Sequence, residues 1–163
     1  FDEELCQKLE PGVCTTKRRI EVLKELHKNG IPTIVWLTPI LPFINDDQEN
    51  ILNILKSCHE AGVKGIICFG MGVTLREGSR EYYYKQLDRL FPGMKERYQM
   101  TYNDQYTLNS PHNRDLMNLF FKKCQEYQMM CSYSEIFEYL QEFEEKAPIK
   151  KKAVHDFEQL SLF

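Results

Sequence analysis

A repeat of 32 residues constrains this chain more than any other feature. His27-Lys28-Asn29-Gly30-Ile31 leads into the apolar run Ile34-Val35-Trp36-Leu37, and His59-Glu60-Ala61-Gly62-Val63 leads into Ile66-Ile67-Cys68-Phe69 at the same offset. That spacing is the size of one βα unit. Ile20, Leu23 and Leu26 line one helical face before the first turn; Ile51, Ile54, Leu55 and Cys58 do so before the second. Gly30 suits a left-handed helix end, and Pro32 stops the helix continuing. Apolar runs without alternation predict strands buried on both faces, as in a parallel sheet covered by helices. His27 and His59 occupy equivalent helix ends, where the dipole favours an imidazole without any need for catalysis. Two strands are too few for a stable parallel sheet, and the helix over residues 15–29 should itself follow a strand. The sequence therefore reads as the C-terminal part of a larger α/β fold.

In such folds chemistry sits on the loops after the strands. The first loop runs through Thr38, Pro39 and Pro42 to Asn45-Asp46, where Asp46 with Glu49 resembles a capping box. The second opens at Gly70 and runs to Gly78. Beyond it the pattern turns helical. Ser79 caps a helix with Tyr83, Leu87, Leu90 and Phe91 inward, ended by Pro92-Gly93. Ser110-Pro111 starts a helix burying Leu116 or Met117, Phe120, Cys124 and Tyr127. Ser132 and Glu135 open one that uses Ile136, Phe137, Leu140 and Phe143. Tyr98 to Asn109, polar and aromatic, reads as a loop over the sheet mouth. From Ala147, with Pro148 and Lys150-Lys151-Lys152, the chain reads as a flexible linker. Three segments result: residues 1–78, 79–146 and 147–163.

A net charge of −3 gives no global pull toward nucleic acid. Lys17-Arg18-Arg19 crowd a helix start, where the dipole disfavours cations. Either Glu10 or a neighbouring carboxylate compensates them, or a bound carboxylate or phosphate does. The six cysteines are scattered with no CxxC pair, so no metal site is expected within the chain. Cys58 and Cys68 read as core thiols, in keeping with a reducing, cytoplasmic compartment. No apolar run approaches the ~18 residues of a membrane span. The opening FDEEL, without an initiating Met, reads as a cut or processed start.

Several segments together resemble the C-terminal half of a radical S-adenosylmethionine barrel of the spore photoproduct lyase-like branch. They are Leu9-Glu10-Pro11-Gly12 before the basic helix start, Gly30-Ile31-Pro32 before the apolar strand, and Pro39-Ile40-Leu41-Pro42-Phe43-Ile44-Asn45-Asp46, similar to that branch's P-I-x-P-x-x-N-D loop. Leu75-Arg76, followed by Leu90-Phe91-Pro92, resembles the segment after its last strand. The resemblance covers about residues 1–100. It implies late βα units of a partial (β/α)6 TIM-like barrel followed by a C-terminal helical segment. Such enzymes hold a [4Fe–4S] cluster through a CxxxCxxC loop, and the cluster reduces S-adenosylmethionine to a 5′-deoxyadenosyl radical. That motif is absent here, as expected if the first three strands lie upstream. The chain alone would then be inactive, with no catalytic residue assigned. By position, the resemblance offers Glu10, Thr38, Pro39, Ile40 and Gly70 to the cofactor, and Arg76 and Glu77 to the substrate side or to a surface salt bridge.

The last five residues, Gln159-Leu160-Ser161-Leu162-Phe163, resemble the peptide by which bacterial DNA polymerases and repair proteins bind the sliding clamp. A tethered extended segment offers an amide for orienting hydrogen bonds and apolar groups for a groove. The alternative is that Leu160, Leu162 and Phe163 fold back on the helices. Clamp tethering would give an acidic domain access to DNA, which implies a radical enzyme in DNA repair or modification. Two other readings stand beside it: a catalytically silent interaction module, and a metal-free barrel domain binding a phosphorylated ligand at Lys17–Arg19. The bare edge of the strand at residues 33–38 is expected to be covered by another chain, self-association included, or by a terminal segment.

Overall fold

The computed structural model describes residues 3–142. A short helix, α1 (Glu3–Leu9), precedes α2 (Thr16–Lys28), β1 (Ile34–Trp36), α3 (Gln48–Glu60) and β2 (Gly65–Ile67). Both repeat units close as their sequence predicts. Gly30 and Gly62 take φ of +71° and +74°, a region open to glycine. The Ile31 N–H then reaches the Leu26 carbonyl at 2.9 Å, and the Val63 N–H reaches that of Cys58 at 3.1 Å, so each helix end satisfies its own carbonyls. The two strands pair in parallel, with Ile34 opposite Gly65 and Trp36 opposite Ile67.

A third unit follows that the sequence reading did not find. Helix α6 (Asn113–Glu126) ends on the same turn, with the Met129 N–H on the Cys124 carbonyl at 2.9 Å. Gln128 stands at the left-handed position with φ of +54°. Met130 then bridges Gly65 in parallel, its N–H on the Lys64 carbonyl at 2.9 Å. The sheet thus runs β1, β2, Met130 in chain order. Leu37, Ile66 and Cys68 pack against Ile51, Leu55 and Cys58 of α3 and against Leu116, Phe120 and Cys124 of α6. Ile20 and Leu23 of α2 join the same cluster. Helix α6 belongs to the core of the repeat and not to a separate helical extension.

Between β2 and α6 lies an inserted layer: β3 (Gly72–Thr74), α4 (Ser79–Leu90), α5 (Met94–Tyr102) and β4 (Thr107–Asn109), with β3 and β4 antiparallel. The stretch expected as a loop, residues 98–109, is therefore the end of a helix and a strand. Tyr98 and Tyr102, four apart, turn inward together, which its polar neighbours concealed. Their cluster includes Leu75, Tyr84, Leu87 and Leu108, with Phe43 and Ile44 from the loop after β1 packed against it. Phe43 sits at φ of +62°, its ring 5.7 Å from Tyr98 and 6.1 Å from Tyr102, with the Arg97 guanidinium 3.8 Å above it. The Tyr98 hydroxyl donates to the Pro42 carbonyl. The insertion thus holds the β1 loop in place.

Four caps differ from expectation. That of α4 is Gly78, with Ser79 the first helical residue and no side-chain cap bond. The cap of α3 is Asp47, which accepts from the Asn50 N–H at 2.8 Å, while Asp46 is buried and accepts the Ser110 hydroxyl. Ser110 still organises the α6 start, accepting from the His112 N–H at 3.0 Å, but the helix begins two residues past Pro111. Helix α7 (Tyr133–Gln141) has no side-chain cap bond from Ser132, and buries Ile136 alone; Phe137 and Leu140 face outward. Replacing Tyr98→Phe should destabilise the fold by ~1–3 kcal/mol, because a buried carbonyl loses its donor. Urea denaturation measures this, and a change below ~0.5 kcal/mol would place the insertion's hold elsewhere.

Candidate functional site

Successive strand residues point to opposite faces. Val35, Leu37, Ile66 and Cys68 meet the helices; Trp36 and Phe69 point the other way and are 57% and 63% exposed. On this second face β1 is open, whereas β2 is covered on both: Ile67, the neighbour of Trp36, is buried, and α7 packs against β2. The exposed rings form a chain. Trp36 meets Phe69 edge-on at 5.6 Å, and Phe69 stacks on Tyr133 at 4.7 Å with 20° between planes. The Tyr133 hydroxyl donates to the Cys68 carbonyl, which fixes that ring against the sheet. Phe69 has one face stacked and is still largely exposed, so its other face is open to a flat group.

Of the residues expected toward the cofactor, Thr38 and Pro39 follow β1 directly and are exposed, joined by a cis peptide bond. Gly70 follows Phe69 at φ of +142°, and a Cβ there would lie 3.6 Å from the carboxamide oxygens of both Asn109 and Asn113. Asn113 in turn accepts from the Met71 N–H at 2.8 Å. The C-terminal end of the sheet thus gathers Trp36, Thr38, Pro39, Phe69, Gly70 and Tyr133. Ile40 is turned away from this end. It is buried in the helix-side core with its N–H on the Gly72 carbonyl at 3.1 Å, so its side chain is not available to a ligand.

Glu10 is engaged with Arg19 at 3.0 Å, and Arg18 with Glu21 at 2.9 Å. The basic helix start is thereby compensated within the chain, which weakens the reading of an anion site there. Arg76 and Glu77 lie exposed on the insertion, Arg76 donating to the Tyr106 hydroxyl at 3.3 Å. That bond lowers the Tyr106 pKa. Gln159, Leu160, Ser161, Leu162 and Phe163 lie outside the described residues. Trp36, Phe69 and Tyr133 were missed as site residues because an apolar run alone does not say which faces are covered.

Cys58, Cys68 and Cys124 are buried among the helices. Burial pushes the Cys58 thiol up to about 11 and that of Cys124 up to about 12. Among the described residues no group of three or more His, Cys, Asp or Glu could hold a metal ion, and an iron–sulfur cluster takes thiolates. These residues do not fit one. No helix among them is long and apolar enough to cross a membrane. Compared with known protein families, curated proteins and solved structures, the chain finds no match.

The raised thiols keep their protons in the fold above the ordinary 9.0 at which they ionise when unfolded. Their contribution is complete below about pH 9 and is lost as pH rises toward 11–12. Tyr83 and Tyr102, pushed from 10.0 to about 12, act in the same direction. Melting temperatures should fall steadily from pH 9 to 11; a rise over that range would contradict the buried thiols.

Proposed function

We propose that this chain supplies the late βα units of a radical S-adenosylmethionine enzyme. The C-terminal end of its sheet and the open aromatic face form one wall of the cofactor site. One observation carries this reading: successive parallel units lie in chain order with α2, α3 and α6 on one face, while the short α7 after the third unit packs against β2. A doubly wound sheet reverses its order and carries its unit helices on both faces, whereas an arc of a barrel keeps them on the outer face. The resemblance of the loops at Glu10, Pro39–Asp46 and Arg76 supplies the family.

Phe69, open on one side and edged by Trp36, offers a stacking surface for adenine. Such stacking contributes ~1–3 kcal/mol per base, and aromatic faces also attract a cationic centre such as the sulfonium. The exposed Thr38 hydroxyl offers a polar contact at the start of the loop. Since the described cysteines do not fit a cluster, no chemical step is assigned to this chain. Its residues bind and orient. Arg76 and Glu77 remain substrate-side candidates on the insertion. The terminal Gln159–Phe163 peptide supports a sliding-clamp partner, and through it DNA repair or modification.

Phe69→Ala should weaken S-adenosylmethionine binding roughly tenfold, the equivalent of ~1.4 kcal/mol, with little loss of thermal stability because the ring is exposed. Unchanged affinity in calorimetry would sink the cofactor assignment. For the partner, removing residues after Glu158 should abolish binding in a sliding-clamp titration; equal affinity of the two forms would exclude the tail.

A further inference from the structure

Helix α7 carries more apolar surface than the fold covers. Its nine residues include Tyr133, Ile136, Phe137, Tyr139 and Leu140, which at about 100° per residue fill an arc of about 160°. Only Ile136 is buried, where α7 meets β2. Tyr133, Phe137 and Leu140, at i, i+4 and i+7 spacing, form one stripe and are 38%, 45% and 41% exposed. Helices this short are marginal in water on their own, and covering the stripe would stabilise this one. The stripe spans two turns, about 10 Å, and continues the ring chain, since Tyr133 stacks on Phe69. Beside it runs a second stripe, Glu135, Glu138 and Glu142 at i, i+3 and i+7, all exposed. Helix α7 has no lysine, arginine or histidine. Among the described residues none of these three carboxylates is in an ion pair.

We propose that this stripe docks a partner protein through an amphipathic helix whose polar face is basic. A helix fits the shape, because a two-turn ridge seats in the groove of a facing helix at ~8–10 Å between axes. Apolar anchors on the incoming helix then meet Tyr133, Phe137 and Leu140, the helix-in-groove mode of recognition. Charge complementarity selects the partner's sign. Lysine and arginine lay their stems along apolar surface while their charged heads reach outward, so basic residues beside the incoming stripe cover Phe137 and meet Glu138 and Glu142. A second copy of α7 would set acid against acid. An anionic bilayer is disfavoured for the same reason, since helices that lie on membranes carry basic polar faces. Docking on α7 leaves Trp36 and the open side of Phe69 to the cofactor face, and it does not depend on that reading.

The probe is a synthetic amphipathic peptide with leucine along one helical face and lysine elsewhere, titrated by fluorescence anisotropy into the 163-residue chain. A peptide with glutamate in place of every lysine is its control. The lysine peptide should bind and the glutamate peptide should not. Phe137→Asp and Leu140→Asp should each weaken binding roughly tenfold or more, with little change in melting temperature because both side chains are exposed. Met100→Asp, exposed elsewhere, should leave binding unchanged. Glu138→Gln together with Glu142→Gln should weaken it several-fold and flatten its dependence on salt. Equal binding of the two peptides, or binding indifferent to Phe137→Asp, would overturn the proposal. So would binding that emerges only when Lys150→Glu, Lys151→Glu and Lys152→Glu are combined, which would make the chain's own terminal segment the occupant. A mass that doubles with concentration and reverts with Phe137→Asp would assign the stripe to a second copy instead. Capture by vesicles of mixed phosphatidylcholine and phosphatidylserine, abolished by Phe137→Asp, would assign it to a membrane; either result overturns the proposal.

Discussion

The structure turns on a parallel sheet whose strands are apolar on both faces: α2, α3 and α6 cover one, and on the other Ile67 is buried where α7 meets β2 while the rings beside it stay open. The helix side is a closed core in which α2, α3 and α6 share a cluster with alternate strand residues. On the other side Trp36 and Phe69 stand largely in water. Large aromatics bury ~150–250 Å² each when covered. Leaving most of two such rings exposed forgoes roughly 2–3 kcal/mol apiece, at ~25 cal/mol per Å². A face of that composition next to the ends of the strands is what a flat, partly apolar ligand would need.

The insertion bears on that face indirectly. By fixing Phe43 and the Pro42 carbonyl through Tyr98 and Tyr102, it holds the loop that begins with Thr38 and Pro39. Asp46 and Ser110 tie the far end of the same loop to the start of α6. The first strand's loop is therefore anchored at its middle and its end, and its exposed beginning sits beside Trp36. Rigid anchoring of that kind is the support a binding loop requires.

Much of this was legible in the sequence. The spacing from His27 to Leu37 and from His59 to Phe69 gave two βα units with their turns, and both are present. The third unit was hidden because Gln128 replaces glycine and only Met130 makes the bridge. Asp46 and Asp47 are adjacent carboxylates, and periodicity could not say which one caps and which is buried. The aromatic face was hidden for a different reason. An unbroken apolar run reports that both faces of a strand are apolar, but the partner of each face is a property of the whole fold. Thr38, Pro39 and Gly70 could be placed at the strand ends from sequence, while the burial of Ile40 depended on packing that no motif records.

Trp36 is the chain's one tryptophan, so its fluorescence reports on the open face alone. Saturating S-adenosylmethionine should protect Trp36 from a water-soluble quencher, and Phe69→Ala should remove that protection. Quenching that is the same with and without S-adenosylmethionine would contradict the assignment of this face as a wall of the cofactor site.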